Sequence, residues 1–113
     1  MFKHISMWNL KPGVDPEVFE KHYLTVHVPL VVKLPGQRKY VISKVRQSKS
    51  RKTPFYRMVE NIFDDLEGVR RMLASPEAAA AAGDQRFHEM VQDNIQFICE
   101  SEEVPLPTPS PEI

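Results

Sequence analysis

Cysteine is nearly missing from this 113-residue chain, which has only Cys99, so no disulfide can close within it. Long apolar runs are missing as well; nothing approaches the roughly 20 consecutive apolar residues that cross a bilayer. Neither sign of charge dominates, with 15 Lys and Arg against 15 Asp and Glu. That balance gives no reason to expect nucleic acid or an anionic membrane as a partner. Glycine is scarce, at four residues, and no glycine-rich phosphate loop, Ser-His-Asp pattern or paired-carboxylate motif occurs. The opening segment MFKHISMWNLKPG holds no long apolar core and does not read as a secretory signal. A reduced, cytoplasmic setting is the expectation.

The chain's hydrophobic fraction of 42% and charged fraction of 27% are ordinary for a globular protein. Its length suits one domain with one modest core. That domain is expected over residues 1–103. Residues 104–113, VPLPTPSPEI, place proline at every second position from Pro105 to Pro111. Proline removes ladder donors and fixes φ, so this stretch reads as an extended, polyproline-like arm.

Residues 2–10 read as a strand ended by Lys11-Pro12-Gly13. Phe2, His4, Ser6, Trp8 and Leu10 share one face; Lys3, Ile5, Met7 and Asn9 share the other. Asp15-Pro16 starts a helix, and Phe19, Tyr23, Val26, His27 and Leu30 follow its buried stripe. Pro29 lacks an N–H and crowds the preceding turn, so a kink or break is expected near Val28. Leu34-Pro35-Gly36 closes the segment. Further strands are expected at 39–46 and 55–63, joined by the polar, basic loop Gln47–Thr53. A helix capped by Asp64 or Asp65 runs to Ala74, and another follows Ser75-Pro76 through the alanines at 78–82. Gly83-Asp84 interrupts it, 85–93 is a turn or two more, and 95–100 is the fourth strand.

The order βαββαβ is the split-βαβ, ferredoxin-like arrangement of the α+β class: a four-stranded antiparallel sheet with helices on one face. Apolar side chains nevertheless occupy both faces of the strands. The helix-free face should therefore pack on a second sheet, most economically that of a second copy, giving a homodimer built as a dimeric α/β barrel.

Lys11-Pro12-Gly13, His22-Tyr23, His27-x-Pro29-Leu30, Leu34-Pro35-Gly36 and Tyr40, with Phe63-Asp64-Asp65 and Leu73-Ala74-Ser75-Pro76-Glu77 later, resemble the EthD family of the dimeric α/β-barrel superfamily. The name comes from ethyl tert-butyl ether degradation. The resemblance covers about residues 2–100. It implies a homodimer with a pocket in each subunit between helices and sheet, and relatives that include cofactor-free isomerases, polyketide cyclases and small monooxygenases. By resemblance to muconolactone isomerases, His27 and Tyr40 match pocket positions; family members often carry tryptophan where Tyr23 stands.

His27 is accordingly the candidate proton shuttle and Tyr40 the candidate donor to an enolate or carbonyl oxygen. The plainer alternatives are a core histidine bonded to a backbone carbonyl freed by Pro29, and an ordinary strand tyrosine. Trp8, Tyr23, Leu30 and Ile42 are the candidate substrate-binding residues. His22 stands about 140° from His27 on an α-helix, which makes it a surface residue and argues against a chelating pair. His88 lies on a separate polar segment, so no metal site is expected. Nine basic and no acidic residues fall between Lys33 and Arg57, read as a solvated hairpin in preference to an anion-steering rim.

The expected function is a cofactor-free isomerase, cyclase or lyase acting by proton transfer on a small hydrophobic carbonyl or lactone compound of a catabolic or secondary-metabolite pathway. A non-catalytic binding or carrier protein with the same pocket is the alternative, and a haem- or flavin-assisted monooxygenase a third.

Overall fold

The computed structural model describes residues 1–109. Its elements in chain order are β1 (Phe2–Leu10), α1 (Pro16–His22), a π turn (Tyr23–His27), α2 (Val28–Val31), β2 (Lys39–Lys44), β3 (Arg57–Phe63), α3 (Leu66–Leu73), α4 (Pro76–Ala82), α5 (Gln85–Met90) and β4 (Val91–Glu100). The strands form one antiparallel sheet in the order β2-β3-β1-β4, which is the ferredoxin-like order.

Local chemistry explains the boundaries. Asp15 accepts from the Glu17 N–H, Asp65 from Gly68 and Ser75 from Ala78, each satisfying a free donor at a helix start. Gly13 and Gly36 take positive φ, 85° and 80°, in the two Pro-Gly turns, where a side chain would be strained. In the β2–β3 loop, the Gln47 side chain bonds the backbone of Thr53 and Phe55. The strands are shorter there than the expected 39–46 and 55–63.

Two expectations are revised and a third fails: Val26, expected on the buried stripe, is 43% exposed. No break occurs at Val28: the chain stays helical but widens, with the Val28 N–H reaching the Tyr23 carbonyl five residues back. Normal i→i+4 bonding resumes at Val32. Pro29 accounts for the disturbance, since its ring would crowd the carbonyl four residues back and a wider turn relieves this. The fourth strand starts at Val91 instead of 95, because it continues through a bulge where Asp93 takes φ of 54° and the register against β1 shifts between Met7 and Asn9.

Register sorts the side chains. Phe2, His4, Ser6 and Trp8 pair with Phe63, Asn61, Val59 and Arg57, and all point under the helices. Two buried clusters form there. One gathers Trp8, Phe19, Tyr23, Val59, Phe87, Met90 and Val91; the other gathers Val31, Leu34, Phe63, Val69, Met72 and Ala81. The opposite face has no helix over it in the single chain. Ile95, Phe97 and Val41 there are 46%, 39% and 38% exposed, far too open for residues of that size in a finished core. Among the described residues, no helix is long and apolar enough to cross a membrane. Residues 104–109 of the arm form no regular element and are exposed; the rest of the arm, Pro111 included, lies outside the described residues.

Candidate functional site

A cavity of about 400 Å³ lies between the two clusters, lined by members of both, a size suited to a small organic molecule. Its floor is the sheet, with His4, Ser6, Asn61 and Gln96; one wall is aromatic, with Trp8, Tyr23, His27 and Phe87. The facing wall is the alanine run of α4, including Ala78, Ala79 and Ala82. Small side chains there leave room that larger ones would fill.

The structure places four of the candidate residues, His27, Tyr40, Trp8 and Tyr23, around this cavity. Leu30 and Ile42 are not among its lining residues. Leu30 packs on the second cluster and Ile42 on the first. Both occupy core positions that helical and strand periodicity alone cannot tell from pocket positions.

Three polar atoms of the lining residues are buried with no hydrogen-bond partner among the described residues: Trp8 Nε1, Tyr23 Oη and Tyr40 Oη. Buried polar groups rarely stay unpaired in folded proteins, so each demands an explanation. Burial raises the pKa of the Tyr23 and Tyr40 hydroxyls, with the neighbouring tyrosine adding to it at Tyr23. Both stay protonated at neutral pH and keep a proton to donate. Beneath Tyr23, the Arg57 guanidinium lies 4.9 Å from the ring centroid and is held by Glu20.

His27 is held at its edge and on one face. Its Nδ1 lies 3.0 Å from Asp84 Oδ2. Its ring stacks on Phe87 at 4.1 Å and 14°, and on Tyr23 at 5.7 Å and 21°. Neither sequence-based alternative anticipated a carboxylate partner. Burial pushes the His27 imidazole below its ordinary pKa, against the opposing hydrogen bond and charge of Asp84, and so favours the neutral ring. Burial also lowers His4, with Asn61 and Gln96 opposing it.

Two histidine expectations are corrected. His22 is not a surface residue: its Nε2 sits 2.8 and 2.9 Å from the two Asp84 oxygens. The 140° separation assumed α geometry, whereas the π turn brings residues five apart onto one face. His88 is not remote either; it lines the cavity and donates Nε2–H to the Ala82 carbonyl at 2.7 Å. Asp84, expected only to interrupt a helix, is the shared partner of both histidines. Burial alone would raise its carboxyl, but hydrogen bonds from His22, His27 and the Phe87 N–H outweigh that and hold it below the ordinary value. Among the described residues, no group of three His, Cys, Asp or Glu side chains is arranged to hold a metal ion. Cys99 is half-buried on β4.

The basic segment divides similarly. Lys49, Arg51 and Lys52 are exposed in the loop, while Arg57 is buried against Glu20.

The EthD domain model matches residues 11–91, most of the chain and all the helices that frame the cavity. This chain belongs to the EthD family. It is 30% identical, over 70 residues, to an uncharacterized 11.0 kDa protein in the thcB-thcC intergenic region of Rhodococcus erythropolis, covering 62% of this chain and 68% of that one. An EthD family protein of Bacillus halodurans is similar in structure, with a TM-score of 0.73 and 26% identity over 90% of this chain and all of that one. A ferredoxin-like protein of unknown function from Bacteroides fragilis, described as dimeric, has a TM-score of 0.66 at 20% identity, covering 88% of this chain and 95% of that one. The last of these supports the fold alone.

Proposed function

We propose that this EthD protein catalyses proton transfer on a small, mostly apolar carbonyl or lactone compound, as a cofactor-free isomerase, cyclase or lyase. One observation carries the reading: the three residues with buried, unpartnered donors, Trp8, Tyr23 and Tyr40, line the same cavity as the part-buried His27 imidazole, whose lowered pKa favours the neutral ring. An oxygen of the ligand would pair with the donors. Enolisation builds negative charge on that oxygen, and preformed donors stabilise developing charge better than they stabilise a neutral carbonyl. His27 would accept the proton from the adjacent carbon and return it elsewhere, as a group titrating near neutrality can. The aromatic wall and the α4 alanines suit a hydrophobic ring or chain, while the sheet floor is polar.

The test is proton exchange in deuterated water with a panel of small ketones and lactones, followed by NMR. Loss of the C–H signal next to the carbonyl is expected for at least one compound. Tyr40→Phe should slow that exchange by about 10²-fold or more while leaving thermal stability equal or higher, because it removes an unpaired buried hydroxyl. Binding of panel compounds without exchange would reassign the cavity to a carrier role.

The open sheet face is proposed to receive the same face of a second copy. Ile95, Phe97 and Val41 would supply the apolar contact, with the Lys3–Glu60 pair, 2.9 Å apart, beside them. Phe97→Lys should convert a dimer to a monomer in light scattering. A wild-type protein that is monomeric at micromolar concentration would refute the interface.

A further inference from the structure

We propose that Asp84 is a positioning residue for His27: its carboxylate holds the ring in the Nδ1–H tautomer and so leaves Nε2 as the atom that meets the ligand. The proposal rests on the functional reading only for the use made of Nε2; the tautomer itself stands on geometry.

The carboxylate is buried on the helix side of the sheet, with its side chain 4% exposed. An ionised carboxylate only accepts hydrogen bonds. Every group facing its oxygens must therefore donate: His22 through Nε2–H, the Phe87 backbone N–H at 3.3 Å to Oδ1, and His27 through Nδ1–H at 3.0 Å to Oδ2. A neutral imidazole has one ring proton. With that proton committed to Asp84, Nε2 of His27 carries a lone pair, and it has no hydrogen-bond partner among the described residues. A neutral ring of the other tautomer would turn a lone pair toward the carboxylate and repel it. The second nitrogen's partner thus decides which nitrogen does chemistry.

The arrangement is fixed in each direction. Rotation of the His27 ring out of its plane is blocked by Phe87 stacked on one face, with Tyr23 packed beside that pair. Rotation of the carboxylate is restrained by His22, which spans both oxygens, and by the Phe87 N–H, since Asp84 also caps α5. The π turn is what permits His22 and His27 to reach one carboxylate. When His27 takes a proton at Nε2, the resulting imidazolium keeps Nδ1–H on Asp84, and the carboxylate faces the new positive charge.

The experiment is long-range ¹H–¹⁵N correlation spectroscopy on uniformly labelled protein at mildly alkaline pH, with His27→Gln used to assign the His27 signals. In the wild type, Nδ1 of His27 is expected in the protonated, pyrrole-like shift range and Nε2 in the unprotonated, pyridine-like range. In Asp84→Asn, the amide oxygen can still accept from the Phe87 N–H at the Oδ1 position, so the cap survives. Its NH₂ then faces His27 and should reverse the two ring-nitrogen assignments. A wild-type ring protonated on Nε2, or an unchanged pattern in a folded Asp84→Asn, would overturn the proposal. If Asp84→Asn does not fold, the wild-type assignment alone decides. No substrate enters this measurement. Failure of the exchange panel would therefore count against the proposed reaction and leave the tautomer assignment untouched.

Discussion

Replacing Arg57 with methionine is expected to cost about 3 kcal/mol of folding stability or more, the range seen when one partner of a buried ion pair is removed. The size follows from where the pair sits. Arg57 is 5% exposed on the helix face of β3, an inward position opposite Trp8 and on the same face as Val59. Its Nε donates to Glu20 Oε2 at 3.1 Å, and its Nη2 donates to Oε1 of the same carboxylate. Tyr56 adds a hydroxyl donor at 3.0 Å and Lys44 a looser contact at 3.7 Å. Methionine fills the volume but leaves Glu20 with Tyr56 and a distant lysine, and it removes the cation beneath Tyr23. Denaturant unfolding measures the loss; the double variant Glu20→Gln, Arg57→Met should recover most of it, because no uncompensated charge remains.

The same pair sets a pH signature. Burial works to raise the Glu20 carboxyl, but the bonds and charge of Arg57, with Tyr56 and Lys44, win and hold it below 4.5. A carboxyl depressed in the folded state stabilises above its unfolded pKa, and that contribution fades as pH falls through the folded value. The wild type should therefore lose this increment on the acid side of about 4.5. Arg57→Met should show little of that loss, having forfeited the increment already.

Replacing His27 with glutamine is expected to lower turnover by about 10²- to 10⁴-fold, the usual contribution of a positioned general base. The amide can keep a hydrogen bond to Asp84 and much of the packing on Phe87, so the fold should survive, as circular dichroism would show. The wild-type pH profile supplies a second criterion. The active form is the neutral ring, and burial lowers the His27 pKa beneath 6.5. The rate should rise as pH increases through that lowered value and level off above it. An ascending limb centred well above 6.5 would point to another base. So would a His27→Gln protein with unchanged exchange.

The sequence by itself determined the frame. Alternating apolar residues placed four strands, Pro-Gly pairs placed the turns around them, and Asp15, Asp65 and Ser75 marked helix starts. These are local steric and hydrogen-bonding preferences, readable without knowing what lies across the core. His27, Tyr40, Trp8 and Tyr23 were legible because polar or aromatic groups on an apolar stripe are conspicuous. Two inward polar residues were equally open to reading and passed over. Arg57 and Asn61 share the strand parity of Val59 and Phe63, and a charge or an amide there signals a partner on the layer above.

What only the tertiary structure decided is who meets whom. Asp84 reaches His22 and His27 across more than fifty residues of chain, and no local pattern encodes that meeting. The π turn alters the angular arithmetic by which His22 had been assigned to the surface. Leu30 and Ile42 show the converse: periodicity marks a residue as inward, but the boundary between core and cavity depends on which neighbours are as small as the alanines of α4. Periodicity reports which way a side chain points, and the fold alone sets what stands opposite it.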